Sequence, residues 1–448
     1  MTGTGTTILQ VGTADVGGGA ERVMMDLHRQ YLERGSDSWV AVGRKRGDAE
    51  RVIQIPGDEA RSSWARRLSA WSRSVARAGT RRGSAGWLAE RVLLLAAEPT
   101  RWAPIFSGME DFGYPGTAHI LDLPPSKPDV LHLHNLHGYY FDMRMLPRLS
   151  ASQPTILTMH DTWLLTGHCA QPLDCERWMT GCGECPYLDL YVPMGRDASA
   201  RDRRLKHDVL ARSRIGLAMP SRWLMSMVER SGLVEPELGL RVIPNGVDTR
   251  VFHPGDKAAV RARLDLPQDR TIVVFAAGDV ATNPFKDYAT LEAALLIAAA
   301  GLERPLLLVA LGGSAHRDAA TGVETRFVPF TDDPSGVAAY YQAADLYVHA
   351  SRAESFGLTV AEAMACGTPV VASRVGGIPE VVADGETGTL VEPGDVAGMA
   401  AAVSALLDRE DKLRSYGAAA RHRVLDLFTI QRQADSYSAW YSELLERR

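Results

Sequence analysis

Two glutamates, Glu354 and Glu362, stand in the segment of this chain with the clearest chemical content. They bracket Glu354-Ser-Phe-Gly-Leu-Thr-Val-Ala-Glu362, which continues as Ala-Met-Ala-Cys-Gly-Thr-Pro-Val-Val-Ala372. An apolar strand ending near Ala350 leads into a short loop, and a helix opens at about Gly357 and runs to Cys366. The first amides of that helix, from Phe356 through Leu358 to Thr359 with Ser355 beside them, have no partners inside it and face outward with the positive end of its dipole. Such a helix start suits a diphosphate, and Gly357 lets the backbone come close to it. Glu354, ahead of the helix, can accept hydrogen bonds from sugar hydroxyls; Glu362, about two turns further on, can take the two hydroxyls of a ribose. One ligand is then held at sugar, phosphate and ribose. The alternative is that both glutamates are ordinary solvated helix residues.

Other residues could serve the same chemistry. Lys286, in Asn283-Pro-Phe-Lys-Asp-Tyr288, follows a strand and can balance charge building on a departing phosphate. Leu131-His-Leu-His-Asn-Leu-His137 ends another strand, with His132 and His134 on one face, and His160-Asp161 closes the next. Histidines at the carboxyl ends of such strands border a ligand crevice or remain structural. Tyr139 and Tyr140 either line an acceptor pocket or pack. Gly17-Gly18-Gly19-Ala-Glu21 follows the first strand and opens a helix, a weak signal because many such turns hold glycines. No Asp-x-Asp tripeptide occurs, so cations and amides must stabilise the leaving group, and no cofactor is expected for the chemistry. Cys169, Cys175, Cys182 and Cys185 cluster after His168. Cys182-x2-Cys185 is a zinc-like knuckle, but the first two cysteines are too far apart for a clean second one; a structural zinc and reduced or redox-paired thiols both remain open.

The elements that must position these groups are short apolar runs alternating with helical-period stretches. The runs are Ile8–Val11, Val40–Gly43, Val130–His134, Thr155–Met159 and Gly216–Met219, then Thr271–Ala277, Leu306–Leu311, Leu346–His349, Val370–Ala372 and Thr389–Val391. Uninterrupted runs are parallel strands buried on both faces, so the expected class is α/β, with two doubly wound parallel sheets. Val242-Ile-Pro-Asn-Gly-Val-Asp-Thr249 punctuates the chain as the interdomain turn. The expected domains are 1–245, 246–427 and a helix at 428–448 crossing back to the first, with Tyr437, Trp440, Tyr441 and Leu444 at helical spacing. Residues 58–103 form a helical excursion rich in Arg and Ala, with Trp64, Trp71, Trp87 and Trp102. It reads as a solvated helical pair whose tryptophans pack inward, or as a basic amphipathic surface facing a membrane or an anionic acceptor.

The Glu354–Glu362 stretch, its Gly-Thr-Pro-Val-Val tail and the following Gly376-Gly377-Ile-Pro-Glu-Val-Val resemble the E-x7-E signature of the retaining glycosyltransferases of family 4 (glycosyl transferases group 1), which have the GT-B fold. Pro220-Ser-Arg-Trp223, Ile243-Pro-Asn-Gly-Val-Asp248 and Asp345-Leu-Tyr-Val-His-Ala350 agree in order with that family. The segment 166–186, with its four cysteines, resembles an insertion in exopolysaccharide members of the colanic-acid-like and capsular kind. The resemblance implies two Rossmann-like domains facing across a cleft: an acceptor side in the first half and a UDP- or GDP-sugar donor side in the second. It further implies that Gly17–Gly19 approaches the donor diphosphate and that His134 contacts the transferred sugar, with His160 and Asp161 bordering the same cleft. The loop Phe327-Val328-Pro-Phe330 would read the base through its backbone. Family members usually carry an Arg and a Lys on the leaving diphosphate; here Gly278-Asp279 replaces the common Gly-Arg and Lys286 remains. By analogy the reaction is a front-face substitution with retention, and Glu354 orients the sugar without attacking it. The rivals are a pseudo-glycosyltransferase or nucleotide-sugar epimerase of the same fold, and a non-catalytic nucleotide-sugar-binding partner. A polysaccharide, a lipid-linked sugar or a small aglycone would each fit as acceptor.

Composition limits the alternatives. The chain has 448 residues, 46% hydrophobic and 23% charged, with a net charge of −5, which excludes disordered and disulfide-scaffold classes. A slightly acidic chain is a poor candidate for nucleic-acid binding. The start lacks a signal-peptide pattern, and the longest apolar run, Ala293 to Leu302, is about half a membrane span. The expected location is the cytoplasm, with peripheral contact at the inner membrane face compatible.

Overall fold

The computed structural model describes residues 5–77, 84–233, 236–278, 283–313 and 323–447. Asp279, where the family's arginine was sought, lies outside them.

The chain builds two parallel sheets, each in its own compact unit: residues 1–218, 226–241 and 440–448 in one, 219–225 and 242–439 in the other. The first sheet contains β1 (Thr7–Ala14), β2 (Asp37–Arg44), β3 (Val52–Gln54), β4 (Val130–His134), β5 (Thr155–Thr158), β6 (Ile215–Met219) and β7 (Leu240–Val242), in the order β3-β2-β1-β4-β5-β6-β7. The second contains β8 (Thr271–Ala276), β9 (Leu306–Leu311), β10 (Glu324–Val328), β11 (Leu346–His349), β12 (Val370–Ser373) and β13 (Gly388–Val391), in the order β10-β9-β8-β11-β12-β13. All ten apolar runs are strands. Every residue of β4, β5, β6, β8, β9, β11 and β12 is buried, as strands covered on both faces require. The three strands the patterning did not anticipate, β3, β7 and β10, are all at sheet edges. An edge strand is wetted and need not be apolar throughout; β10 reads Glu-Thr-Arg-Phe-Val.

Each sheet reverses its strand order once, between β1 and β4 and between β8 and β11. Ligands of such sheets gather at the carboxyl ends of the strands beside that reversal. His134 ends β4 and His349 ends β11.

The last helix, Ile430–Glu446, buries Tyr437, Trp440, Tyr441 and Leu444. Within the first unit, β6 receives the Trp440 ring where a Cβ on Gly216 would come within 2.4 Å of it. Tyr441 OH lies 2.6 Å from His132 Nδ1 and 3.2 Å from Tyr31 OH, tying the chain's end to the histidine-bearing strand.

The excursion is helical as expected, over Ser63–Arg77, Ala85–Ala97 and Pro99–Phe106. The inward packing of its tryptophans does not hold for the first two. Trp64 and Trp71 are 60% and 62% exposed, because their helix buries only the narrow stripe of Ala65, Leu68, Ser69 and Ser72. Among the described residues no helix is long and apolar enough to cross a membrane.

Candidate functional site

In the second unit, Lys286 and Glu354 meet through a short backbone zipper. Lys286 bridges Ser351 in antiparallel register, Arg352 N donates to Phe285 O (2.9 Å), and Ser351 Oγ donates to the same carbonyl (2.9 Å). The lysine is thereby carried from a loop 68 residues away to the mouth of the E-x7-E helix, where Nζ lies 2.5 Å from Glu354 Oε2. His349 completes the cluster, its Nε2 3.3 Å from both Glu354 Oε2 and Lys286 Nζ. Tyr347 OH lies 3.2 Å from His349 Nδ1 and 2.9 Å from Thr359 Oγ1, linking the strand to the helix.

The electrostatics follow from this packing. Burial alone would raise the Glu354 carboxyl, but the Lys286 charge and hydrogen bonds from His349 and Lys286 outweigh it and hold it well below the usual carboxylate range. Burial and the Lys286 charge push His349 down to about 4, so the ring is neutral at ordinary pH. The cluster therefore presents an ionised carboxylate, an ammonium and a neutral imidazole.

The helix spans Leu358–Ala365, and no side chain caps its first amides. Gly357 is its N-cap at φ +97°, a left-handed conformation, and a Cβ there would meet Ile378 Cδ1 at 2.4 Å. The turn and Ile378 both demand a glycine here. Gly376 and Gly377 cradle the loop: a Cβ on Gly376 would fall 1.7 Å from Glu354 O, and one on Gly377 would fall 2.4 Å from Ser355 O. Ser221 Oγ donates to Ser355 O (2.7 Å), and Phe356 packs edge-on against Phe428.

Glu362 is 1% exposed, so it is not a solvated helix residue, and it accepts from Tyr341 OH at 3.4 Å. Val328 ends β10, and its carbonyl accepts from the amides of Gly312 (2.9 Å) and Gly313 (3.2 Å). His349 and Tyr347 were not singled out from sequence; their signal was a polar residue closing an otherwise apolar strand. Arg352 was missed as well, and its Nε pairs with Asp287 Oδ2 at 3.2 Å.

In the first unit the histidines form a connected group. His134 lies 3.2 Å from Gln10 Oε1 through Nε2 and 3.1 Å from His160 Nε2 through Nδ1, with the His132 ring centroid 4.1 Å away. Burial keeps His134 well below its ordinary value and lowers His160 to about 4, so both are neutral. Asp161 pairs with His137 Nε2 (2.7 Å) and accepts from Asn135 Nδ2 (3.2 Å) and Trp163 N (2.9 Å). Burial would lower His137, but the Asp161 charge and hydrogen bond win and raise it. The loop after β4 is strained: Asn135, Gly138 and Tyr139 all have positive φ, and Tyr139 is exposed. Burial also pushes the Glu110 carboxyl up to about 7; its Oε2 accepts from Trp163 Nε1 at 2.9 Å. Sequence reasoning passed over Glu110 and His137, which lie among many similar residues. The Gly17–Gly19 loop starts the helix Gly19–Glu33, and the Glu21 side chain folds back to within 3.2 Å of where a Gly17 Cβ would stand.

The four clustered cysteines are free thiols. His168 Nε2 reaches Cys185 Sγ at 3.3 Å, and its Nδ1 donates to Val192 O at 2.6 Å. Burial raises the thiols of Cys169, Cys182 and Cys185, Cys169 to about 12. Among the described residues no group of three or more His, Cys, Asp or Glu side chains is already arranged to hold a metal ion.

Comparisons with known proteins bear on the second unit most directly. Residues 292–423 match the sequence pattern of the family described as glycosyl transferases group 1. D-inositol 3-phosphate glycosyltransferase 2 of Catenulispora acidiphila is 41% identical over 186 residues, which cover 38% of this chain and 43% of that protein. The D-inositol 3-phosphate glycosyltransferase of Geodermatophilus obscurus is 37% identical over 227 residues, 46% of this chain and 47% of its own length. The chain thus spans less than half the length of these curated relatives. Among solved structures, Anabaena HepE in complex with UDP and glucose superposes with a TM-score of 0.65 at 17% identity, covering 97% of this chain and 99% of that one. Sucrose-phosphate synthase from Thermosynechococcus elongatus gives 0.64 at 20% identity, covering 99% and 100%. The chain has the GT-B fold of these glycosyltransferase structures, and its residues 292–423 carry the pattern of glycosyl transferases group 1.

Proposed function

We propose that this protein is a metal-independent glycosyltransferase that moves a sugar from a nucleotide-diphosphate donor to an acceptor hydroxyl with retention of configuration. The observation that carries the reading is the Lys286–Glu354–His349 cluster at the uncapped start of the helix Leu358–Ala365. Lys286 and the helix amides face the charge that develops on the leaving diphosphate, which is where preorganised donors lower a barrier most. Glu354 stays ionised and accepts from the hydroxyls of the donor sugar. Its commitment to Lys286 and His349 suits an orienting role better than attack on the anomeric carbon. The acceptor's proton passes to the leaving phosphate oxygen as the new glycosidic bond forms and the old C–O bond breaks on the same face.

The printed complex of HepE with UDP and glucose supports a UDP-sugar as the first donor to try, with GDP-sugars second. The names of the curated relatives support a polyol phosphate as the first acceptor to try. The test is nucleoside diphosphate release that depends on both donor and acceptor and is abolished in Glu354→Ala and Lys286→Ala. Binding of the donor without turnover over a broad acceptor panel would favour a non-catalytic binding partner instead.

A further inference from the structure

We propose, resting on the transferase reading, that one cavity of the first unit seats a negatively charged sugar or polyol as acceptor, its phosphate or carboxylate held by Arg91 and Arg196. The cavity has a volume of about 660 Å³, and all of its lining belongs to the first unit. Its walls come from the helices Ala85–Ala97 and Pro99–Phe106, from residues 108–111 and from residues 192–196. The last two segments are pressed together at Gly108. That residue has φ +101°, and a Cβ on it would come within 2.6 Å of Arg196 O. Arg201 NH2 donates to Ser107 O at 2.8 Å, and the fully buried Asp202 accepts from Glu110 N at 2.8 Å. Segments nearly 90 residues apart in sequence are thus locked around one space.

The charges that line this space are unequally engaged. Both carboxyl groups have partners. Asp111 accepts from Arg101 NH2 (2.6 Å), Arg101 Nε (3.1 Å) and Gly113 N (2.8 Å). Glu110 Oε2 accepts from Trp163 Nε1 at 2.9 Å, and burial holds that carboxyl protonated up to about 7. The arginines have none: among the described residues neither Arg91 nor Arg196 makes an ion pair or a hydrogen bond through its guanidinium. Arg91 is nevertheless held in place, its guanidinium 4.2 Å from the ring centroids of both Trp87 and Phe106. Stacking of this kind fixes the guanidinium plane and leaves its N–H groups for a phosphate or carboxylate. Trp87 and Tyr139 add aromatic faces for the C–H side of a sugar ring, and Glu110 with the Tyr139 hydroxyl can meet its hydroxyl groups. A cavity of this size, aromatic with a few fixed polar groups, suits a small molecule.

Titration calorimetry of the full chain, without any nucleotide sugar, tests it. The probes are glucose 6-phosphate, myo-inositol 1-phosphate and glucuronate, set against glucose, myo-inositol and inorganic phosphate. At least one anionic probe should bind saturably and about tenfold or more tightly than its neutral parent and than inorganic phosphate. Whether a phosphate or glucuronate is preferred tells which anion the site takes. Arg91→Gln and, separately, Arg196→Gln should each weaken that binding about tenfold, and the exposed Arg196 should be replaced without change in melting temperature. Lys286→Met, which alters the second unit's site, should leave it unchanged. No binding of any anionic probe, equal binding of anionic and neutral probes, or indifference to both arginine variants would overturn the proposal. So would loss of binding in Lys286→Met alone, which would put the anion in the donor site. The titration needs no turnover, so failure of the acceptor-dependent release assay and failure of this site are separate results.

Discussion

Replacing Lys286 by methionine keeps the side chain's length and removes its charge. In the intact protein Nζ lies 2.5 Å from Glu354 Oε2, with the two side chains 15% and 21% exposed. At an effective dielectric near 20, Coulomb's law gives about 7 kcal/mol of gross attraction. Desolvation of both ions offsets much of that, and removal of one partner from a largely buried pair typically costs roughly 3 kcal/mol. A domain stable by about 5–15 kcal/mol remains folded after such a loss, so activity measured at 25 °C reports chemistry and not unfolding. The leaving diphosphate loses a cation, and by analogy with removal of one oxyanion donor kcat should fall about 10²–10³-fold. A second effect separates this account from simple destabilisation. With Lys286 gone, burial dominates at Glu354 and its carboxyl moves upward. The wild-type group, held below its unfolded value of 4.5, stabilises the fold above that pH and loses the contribution as pH falls through the folded value. The variant should lack that acid-side loss and gain a new inflection in its rate profile at higher pH. The assay is acceptor-dependent diphosphate release from pH 4 to 9, with denaturation curves extended to about pH 2.5 to follow the acid-side loss. Turnover within about twofold of wild type, from a variant that melts normally, would refute the reasoning.

Other substitutions test the supporting structure. Gly376→Ala forces a Cβ against Glu354 O, while Gly385→Ala, at φ +79° with nothing within 4 Å, suffers only backbone strain of about 1 kcal/mol; activity should fall strongly in the first and little in the second. Glu110 is protonated in the fold up to about pH 7 but ionised in the unfolded chain above 4.5, so stability from this group falls as pH rises between those values. Glu110→Gln should remove that decline, by roughly 3 kcal/mol at pH 8 at most, which melting curves at pH 4.5 and 8 would register. His137, raised by Asp161, contributes its stability below its unfolded value of 6.5 and loses it as pH climbs through the folded value. The melting-temperature gap between wild type and His137→Gln should therefore be widest near pH 6 and narrow at alkaline pH; a constant gap would contradict the pairing.

Parallel strands buried on both faces leave apolar runs, so the nine central strands and the largely buried edge strand β13 could be read directly, whereas β3, β7 and β10 are wetted edges without that pattern. The E-x7-E spacing was legible because it brackets a loop-to-helix junction, and Lys286 because lysine is scarce in this chain. Their meeting was not, because it depends on a backbone zipper between loops 68 residues apart. His349 ends an apolar strand, where its type alone does not distinguish a core residue from the third member of the cluster. The spacing of Glu362 was legible too, but its burial beside Tyr341 was not, because that depends on the packing of a neighbouring helix. Gly376 and Gly377 marked a family pattern, and only the three-dimensional fold shows that they make room for the carbonyls of Glu354 and Ser355. Trp64 and Trp71 went the other way, outward, because the stripe their helix buries is the narrow one of Ala65, Leu68, Ser69 and Ser72.

The central claim is that the second unit's cluster grips a nucleoside diphosphate through Lys286 and the helix amides. Titration calorimetry of the full chain with UDP, GDP and their unphosphorylated nucleosides tests it most directly. The account predicts saturable binding of at least one diphosphate, more than about tenfold tighter than its nucleoside, and weakened comparably by Lys286→Met. Binding of nucleoside and diphosphate with equal affinity, or diphosphate binding indifferent to Lys286→Met, would contradict it.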